Sequence, residues 1–406
     1  MTPLYGSLRV HHNGMAASRE TRYGEPALSV INRQSFAEAM ADISSWPGYA
    51  ATPLHSLQGL ARKIGVASLH YKDDGFRFGL DSFKALGGAY AVERLLMDFI
   101  RKSDPQLNPT IEGLTNGQYS DITNTVTVAC ATDGNHGRSV AWGAQTFGCH
   151  CKIYIHSGVS EGRKKAMEAY GADVLRLDGD YDHTVREIAA DAAEHGWFVV
   201  SDTSYEGYLD VPRDVMQGYT VMVDEILNQY PDGSLPSHIF VQGGVGGLAA
   251  AVCGHLWETL ADERPRFIVV EPDRADCLYQ SALAGAPRPA TGDLETVMAG
   301  LACGEVSLIA WGILATGADD FIILGDDVVG PVMRLLAGGE DGDPAVVAGE
   351  SAVAGLAALL AAGEDPALAD ALGINQGSRV LIIGSEGASD AEVYKNIVGR
   401  SARDVR

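Results

Sequence analysis

The strongest constraint in this sequence is an alternation: short apolar runs, most closed by glycine, each followed by a stretch of helical composition. Between residues 125 and 196 the chain reads TVTVACATDGNHG, SVAWGAQTFG, KIYIH, EGRKKAMEAYG, DVLRLDG and HTVREIAADAAEHG. A second series follows in MQGYTVMVDEILNQY, HIFVQGGVGGLAAAVCGHL and RFIVVEP. Strands alternating with helices build parallel sheets covered on both faces, and ligands collect where strand ends meet helix starts. The sequence therefore predicts an α/β chain of two three-layer αβα domains with mostly parallel sheets, which 406 residues accommodate. No repeat of solenoid or propeller type is present. Residues 337–344 (AGGEDGDP) and 103–122 read as surface loops, because Pro, Asn and Gly break any regular period there.

The charge balance narrows the partners. Thirty Lys and Arg against 53 Asp and Glu give a formal charge of −23, which repels nucleic acid and anionic lipid. Six cysteines (Cys130, Cys149, Cys151, Cys253, Cys277, Cys303) form no CxxC pair, and the CxC at 149–151 lacks the second half of a zinc site. No metal site is expected, and a reducing, cytoplasmic setting is. The N-terminal residues have no signal-like apolar run, and the longest charge-poor stretch, Gly233 to Trp257, is broken by Pro236, His238, Gln242 and glycines, so no membrane span is expected.

Three helix starts carry chemistry, two of them directly after a strand. In DSFKALGGAY, Lys84 stands just ahead of a small-residue helix start. A lysine there opposes the helix dipole, and desolvation beside Phe83 moves it toward what Schiff-base chemistry needs. In ATDGNHGRS, backbone amides suit a carboxylate, Asn135 offers a side-chain donor, Asp133 a base or counter-charge, and His136 reads as a packed residue. In QGGVGGL, successive glycine N–H groups at a helix start suit a phosphate, although tight strand-to-helix packing would use glycines as well. Neither the GxGxxG spacing nor the Lys-Ser/Thr of a P-loop is met, which favours one phosphate over a dinucleotide or triphosphate.

Taken in order, SFK at 82–84, GNHG at 134–137, GGVGG at 243–247 and Ser385 after the strand-like RVLII resemble the fold-type II pyridoxal-phosphate enzymes, the tryptophan synthase β-like family, from about residue 50 to 390. The resemblance implies pyridoxal 5'-phosphate as cofactor. It implies that Lys84 carries it covalently, that Phe83 lies against its ring and that Asn135 meets its phenolate oxygen. Gly243, Gly244, Val245, Gly246 and Gly247 would bind the phosphate, Ser385 would face the pyridine nitrogen, and Glu350 resembles the glutamate opening a matching helix. A neutral hydroxyl at that nitrogen weakens the electron sink and suits elimination of a β leaving group. Residues 1–87 and 213–406 would form the large cofactor-binding domain and 88–212 a smaller, mobile, substrate-side domain. A homodimer is the family habit, and no regulatory module is expected beyond the Ser385 region.

Within that family, FGLDSFKALGGAYAV, ATDGNHGRSVAWGA and SDTSYEGYLDVPRDVMQGYTVMVDEI are similar to the diaminopropionate ammonia-lyase branch. Serine and threonine dehydratases usually carry a small residue where Asp133 stands. The implied reaction is α,β-elimination of 2,3-diaminopropionate, D or L, to pyruvate and two ammonia, with Lys84, Asp133 and Asp202 catalytic and Thr132, Asp133 and Asp202 meeting the amino-acid substrate. A substrate with an ammonium on Cβ needs negative charge nearby, and two aspartates supply it. Lys84 would take the Cα proton of the L isomer and Asp133, from the opposite face, that of the D isomer. A serine or threonine dehydratase and a non-catalytic cofactor-binding protein stay open beside this reading, as does a pairing of Cys277 with Cys303.

Overall fold

A computed structural model describes residues 8–132, 134–179 and 181–405. Its eleven described strands are β1 (Leu8–His12), β2 (Leu54–Ser56), β3 (Ser68–Asp73), β4 (Thr127–Ala131), β5 (His150–His156), β6 (Asp173–Leu177), β7 (Phe198–Val199), β8 (His238–Gln242), β9 (Arg266–Pro272), β10 (Asp320–Leu324) and β11 (Arg379–Gly384). The chain divides into two compact units. One takes the described residues of Met1–Arg33, Ala51–Ser82 and Met222–Arg406, the other Gln34–Ala50 and Phe83–Val221.

The first unit holds a seven-stranded sheet in the order β1-β10-β9-β8-β11-β3-β2. The five inner strands are parallel, and the two edges, β1 and β2, are antiparallel. β8 and β10 are buried at every position, as their unalternating HIFVQ and DFIIL require of strands covered on both faces. The Ala354–Glu364 helix, buried from Ala354 through Ala362, packs here. Gly355 permits the close approach, since a Cβ there would stand 3.1 Å from Phe240 Cβ. Leu356, Leu359 and Leu360 join Val270, Val380 and Ile382 in one core. Among the described residues no single helix is long and apolar enough to cross a membrane.

A buried ionic cluster fixes the segment after β3. Lys72 Nζ lies 2.8 Å from Glu225 Oε2, and Arg77 donates to Glu225 at 2.7 Å through both Nη1 and Nη2 and to Asp74 at 3.0 Å. Burial alone would raise the Glu225 carboxyl, but Arg77 and Lys72 hold it below its ordinary range. The cluster anchors a tight turn in which Phe78 takes φ 50° and Asp81 φ 51°.

The second unit holds a four-stranded parallel sheet, β6-β5-β4-β7. Its Ala85–Ser103 and Asn135–Phe147 helices cross at glycines: a Cβ on Gly143 would stand 2.8 Å from Ala89 Cα, and one on Gly88 would overlap the Ser139 hydroxyl. Residues 34–50 are pinned by Trp46, whose ring lies 5.8 Å from Trp142 and 5.5 Å from Phe147 and whose indole donates to Glu93 at 2.5 Å. Burial pushes the Glu93 carboxyl up to about 8.

Both expected surface loops prove more structured than their composition implies. Residues 103–122 contain the short helices Ile111–Thr115 and, at their end, Ser120–Thr123, with Tyr119 only 7% exposed and its hydroxyl accepting from Thr110 N. In the 337–344 segment, Asp343 accepts from Gly59 N at 2.7 Å and Leu60 N at 2.8 Å, capping the Gln58–Ile64 helix. Two urea-unfolding measurements test this fold. Asp343→Ala should cost about 1 kcal/mol, as loss of a helix cap does, whereas Glu225→Gln should cost about 3 kcal/mol or more by leaving buried cations uncompensated.

Candidate active site

In the second unit, Lys84 is the residue that opens the Ala85–Ser103 helix. Its Nζ lies 2.5 Å from Asp202 Oδ2, with side chains 19% and 16% exposed. Asp202 sits in the loop after β7, where a polar segment at a strand end was expected. Burial alone would raise the Asp202 carboxyl, but the Lys84 ammonium and His136 hold it well below the carboxylate range. His136 is packed, as the sequence suggested, yet it also backs the acid: Nε2 is 2.8 Å from Val200 O and Nδ1 is 3.8 Å from Asp202 Oδ2. Burial lowers the imidazole's proton affinity. Phe83 is 7% exposed, with its ring centroid 5.4 Å from Lys84 Nζ and 4.7 Å from the Tyr219 ring.

The β4-to-helix junction is built around Thr132. Its Oγ1 accepts from Gly134 N and Gly137 N, both at 3.1 Å, so the hydroxyl shapes the turn and retains only its own proton to offer. Asn135 opens the helix and is half-buried. The Arg163 stem lies over the turn, 3.1 Å from where a Gly134 Cβ would stand. Asp133 lies outside the described residues. Tyr181, 38% exposed, opens the Tyr181–His195 helix.

In the first unit, the 243–246 turn joins β8 to the Gly247–Leu260 helix. Gly244 has φ 65° and Gly246 φ 98°, conformations that strain any residue with a Cβ. A Cβ on Gly243 would stand 2.5 Å from Glu271 Cγ, so the backbone can run here only as glycine. Among the described residues, the N–H groups of Gly244, Val245 and Gly246 have no backbone or side-chain acceptor, while Gly243 N donates to Val270 O. Open amides at a helix start fit a phosphate. The buried Gln242 Oε1, also without a partner, adjoins them, and Gln242 Nε2 donates to Ile383 O at 2.7 Å.

Ser385, 4% exposed, follows β11. Next to it Glu386 accepts from Ser351 N at 2.9 Å, drawing in the short Ser351–Val353 helix that the buried Glu350 opens. Ser385, Glu386 and Glu350 thus gather at one end of β11. Two buried acids were not singled out from the sequence. Glu386 is marked in the sequence only by its place beside Ser385, and Glu271 only by its place at the end of RFIVVEP. Burial pushes Glu271 up to about 8 although Leu278 N and Tyr279 N both donate to it. Cys277 and Cys303 flank Gly244 as separate thiols: Cys277 Sγ is 3.4 Å from Gly244 O, and a Gly244 Cβ would stand 3.6 Å from Cys303 Sγ.

Each unit by itself offers residue types that a pyridoxal-phosphate enzyme uses, the second a lysine at a helix start and the first a glycine turn of open amides and a buried serine. The model of the pyridoxal-phosphate dependent enzyme family matches residues 46–386, and the chain belongs to that family, in its fold-type II class. Its relatives are more particular. The chain is 40% identical over 355 residues to the diaminopropionate ammonia-lyase of Escherichia coli strain K12, covering 86% of this chain and 88% of that enzyme. The solved Escherichia coli enzyme in complex with D-serine superposes with a TM-score of 0.88 at 36% identity, covering 98% of this chain and 99% of that one. The same enzyme in complex with an aminoacrylate-PLP azomethine reaction intermediate gives 0.86 at 36% identity, covering 97% of each chain.

The cofactor of this family is pyridoxal 5'-phosphate. Gly246→Ala should therefore weaken its retention by about tenfold or more, since a side chain at φ 98° would deform the turn. Equilibrium dialysis of pyridoxal phosphate against the variant and the parent checks this.

Proposed function

We propose that this chain catalyses the pyridoxal-phosphate-dependent α,β-elimination of 2,3-diaminopropionate to pyruvate and two ammonia. The observation that carries the reading is the Lys84–Asp202 pair, a reactive amine held against an ionised carboxylate, in a chain 40% identical to an enzyme of that name. The bound cofactor supplies the electron sink that lets a proton leave Cα. Lys84 would hold the cofactor covalently, and its free amine would accept the Cα proton of the L isomer. Asp133 accepts that of the D isomer. Asp202 stays ionised and recognises the ammonium on Cβ. Expulsion of the β-amine requires that nitrogen to leave protonated: the ammonium that Asp202 orients retains its own third proton, and where the amine is neutral Asp133 is our first choice to supply it.

In this reading Phe83 would pack on the cofactor ring, Asn135 would meet its phenolate oxygen and the 243–247 turn would take its phosphate. Ser385 would face the ring nitrogen, Glu350 would belong to the cofactor site, and Thr132 would contact substrate. The functional division we propose is 1–87 with 213–406 for the cofactor and 88–212 as the mobile substrate side. A cytoplasmic homodimer without nucleic-acid or membrane partners is the proposed setting, supported by the family habit, the charge of −23 and six free thiols. Dehydration of serine is a second reading, supported by the D-serine complex of the Escherichia coli relative.

The purified holoenzyme given D- or L-diaminopropionate should release ammonia and pyruvate in a ratio of about two to one, with slower turnover of serine, by the balance of the elimination. Faster turnover of serine would install the dehydratase in its place. Asp133→Asn should lose D activity far more than L activity, and equal loss on both isomers would remove the two-base assignment.

A further inference from the structure

Beside Lys84 stands a tyrosine that the sequence gave no reason to single out. Tyr219, on the Asp210–Gln229 helix, is 1% exposed, and its hydroxyl finds no well-formed hydrogen-bond partner among the described residues. Buried hydroxyls are almost always paired, so an orphan next to a reactive group calls for a reason. Its ring is seated against the start of the Ala85–Ser103 helix by the absence of a side chain at Gly87, one turn beyond Lys84, where a Cβ would stand 2.7 Å from the Tyr219 Cζ. Phe83 joins them: its centroid is 4.7 Å from the Tyr219 ring and 5.4 Å from Lys84 Nζ. Burial raises the phenol's proton affinity, while the Lys84 ammonium acts on it in the opposite sense by charge and by an incipient hydrogen bond.

We propose that Tyr219 is a positioning residue for the Lys84 amine, accepting one Nζ–H while Asp202 accepts another. With Asp202 as sole acceptor, the amine turns about Cε–Nζ. With two acceptors its rotation is fixed, so that the remaining direction, proton or lone pair, is single. Because Asp202 is ionised, it can only accept. A phenol accepts from the amine in both of its charge states, so the hold survives proton transfer. The other groups facing this amine are Asp202 from the loop after β7 and His136 from the Asn135–Phe147 helix, with Asp133 outside the described residues. Cys130 on β4 and Tyr208 feel the Asp202 charge from behind.

This inference rests on the reading that Lys84 carries the cofactor. Its test is the pH profile of kcat for L-diaminopropionate, where the amine is free of the cofactor, in the parent, in Tyr219→Phe and in Tyr90→Phe, whose buried hydroxyl is likewise unpaired, with the visible absorbance of the bound cofactor recorded alongside. Tyr219 accepts from the charged amine, so its removal should lower the midpoint of that profile by about one pH unit, the tenfold effect of a hydrogen bond to a charged group. The kcat for L-diaminopropionate should fall about tenfold with KM changed less than about twofold, and Tyr90→Phe should match the parent. A Tyr219→Phe midpoint equal to the parent's overturns the positioning role, as does an equal shift in Tyr90→Phe. Lys84→Ala separates the two claims. It should lose the band altogether, and if it keeps the band the assignment of Lys84 fails, whereas a lost band with an unmoved Tyr219→Phe midpoint removes Tyr219 alone.

Discussion

The proposed chemistry depends on one ion pair, Lys84 with Asp202, formed inside a single structural unit. Lys84 stands at the positive end of a helix dipole, with the Phe83 ring centroid 5.4 Å from its Nζ. The Asp202 carboxylate compensates, and the pair holds the aspartate ionised even though burial works against it. A buried pair of this kind gains little net stability, because desolvation consumes most of the attraction. Its value in the proposed reaction is position: an amine at a defined place beside an ionised carboxylate.

Glycine supports both halves of the arrangement in different ways. At Gly88 and Gly143 it lets two helices approach until backbone meets side chain, which sets the helix start that Lys84 opens. At Gly244 and Gly246 it supplies left-handed backbone that leaves amides unbonded at the head of the Gly247–Leu260 helix. Glu271 presses against Gly243 from below and ties it to the Cys277–Ala284 helix through two backbone donors. The turn is therefore rigid because a buried acid leaves room for nothing larger.

How much of this was legible in the sequence follows from locality. The βα alternation marked the strands and helices because burial on both faces removes polar residues from inner strands such as HIFVQ and RFIVVEP. Lys84 and the glycine turn were legible because each sits within a dozen residues of the strand and helix that define it. Asp202 drew notice only through the family resemblance, since VVSDTSYEGY reads by itself as a loop. Tyr219, Glu271 and Glu386 were not legible as site residues. Tyr219 lies 135 positions from Lys84 in sequence (219 − 84 = 135), within an ordinary amphipathic helix, and meets it only in the fold. The segments 103–122 and 337–344 were legible as surface segments, but their tethers were not: Asp343 caps a helix that starts nearly 300 residues earlier, a pairing that composition does not reveal.

The most direct measurement is chemical. Reducing the holoenzyme with borohydride fixes the cofactor to the nitrogen that holds it, and peptide mapping by mass spectrometry then identifies the residue. The account predicts a single modified lysine, Lys84, with all other lysines unlabelled. Labelling of another lysine in its place would contradict it.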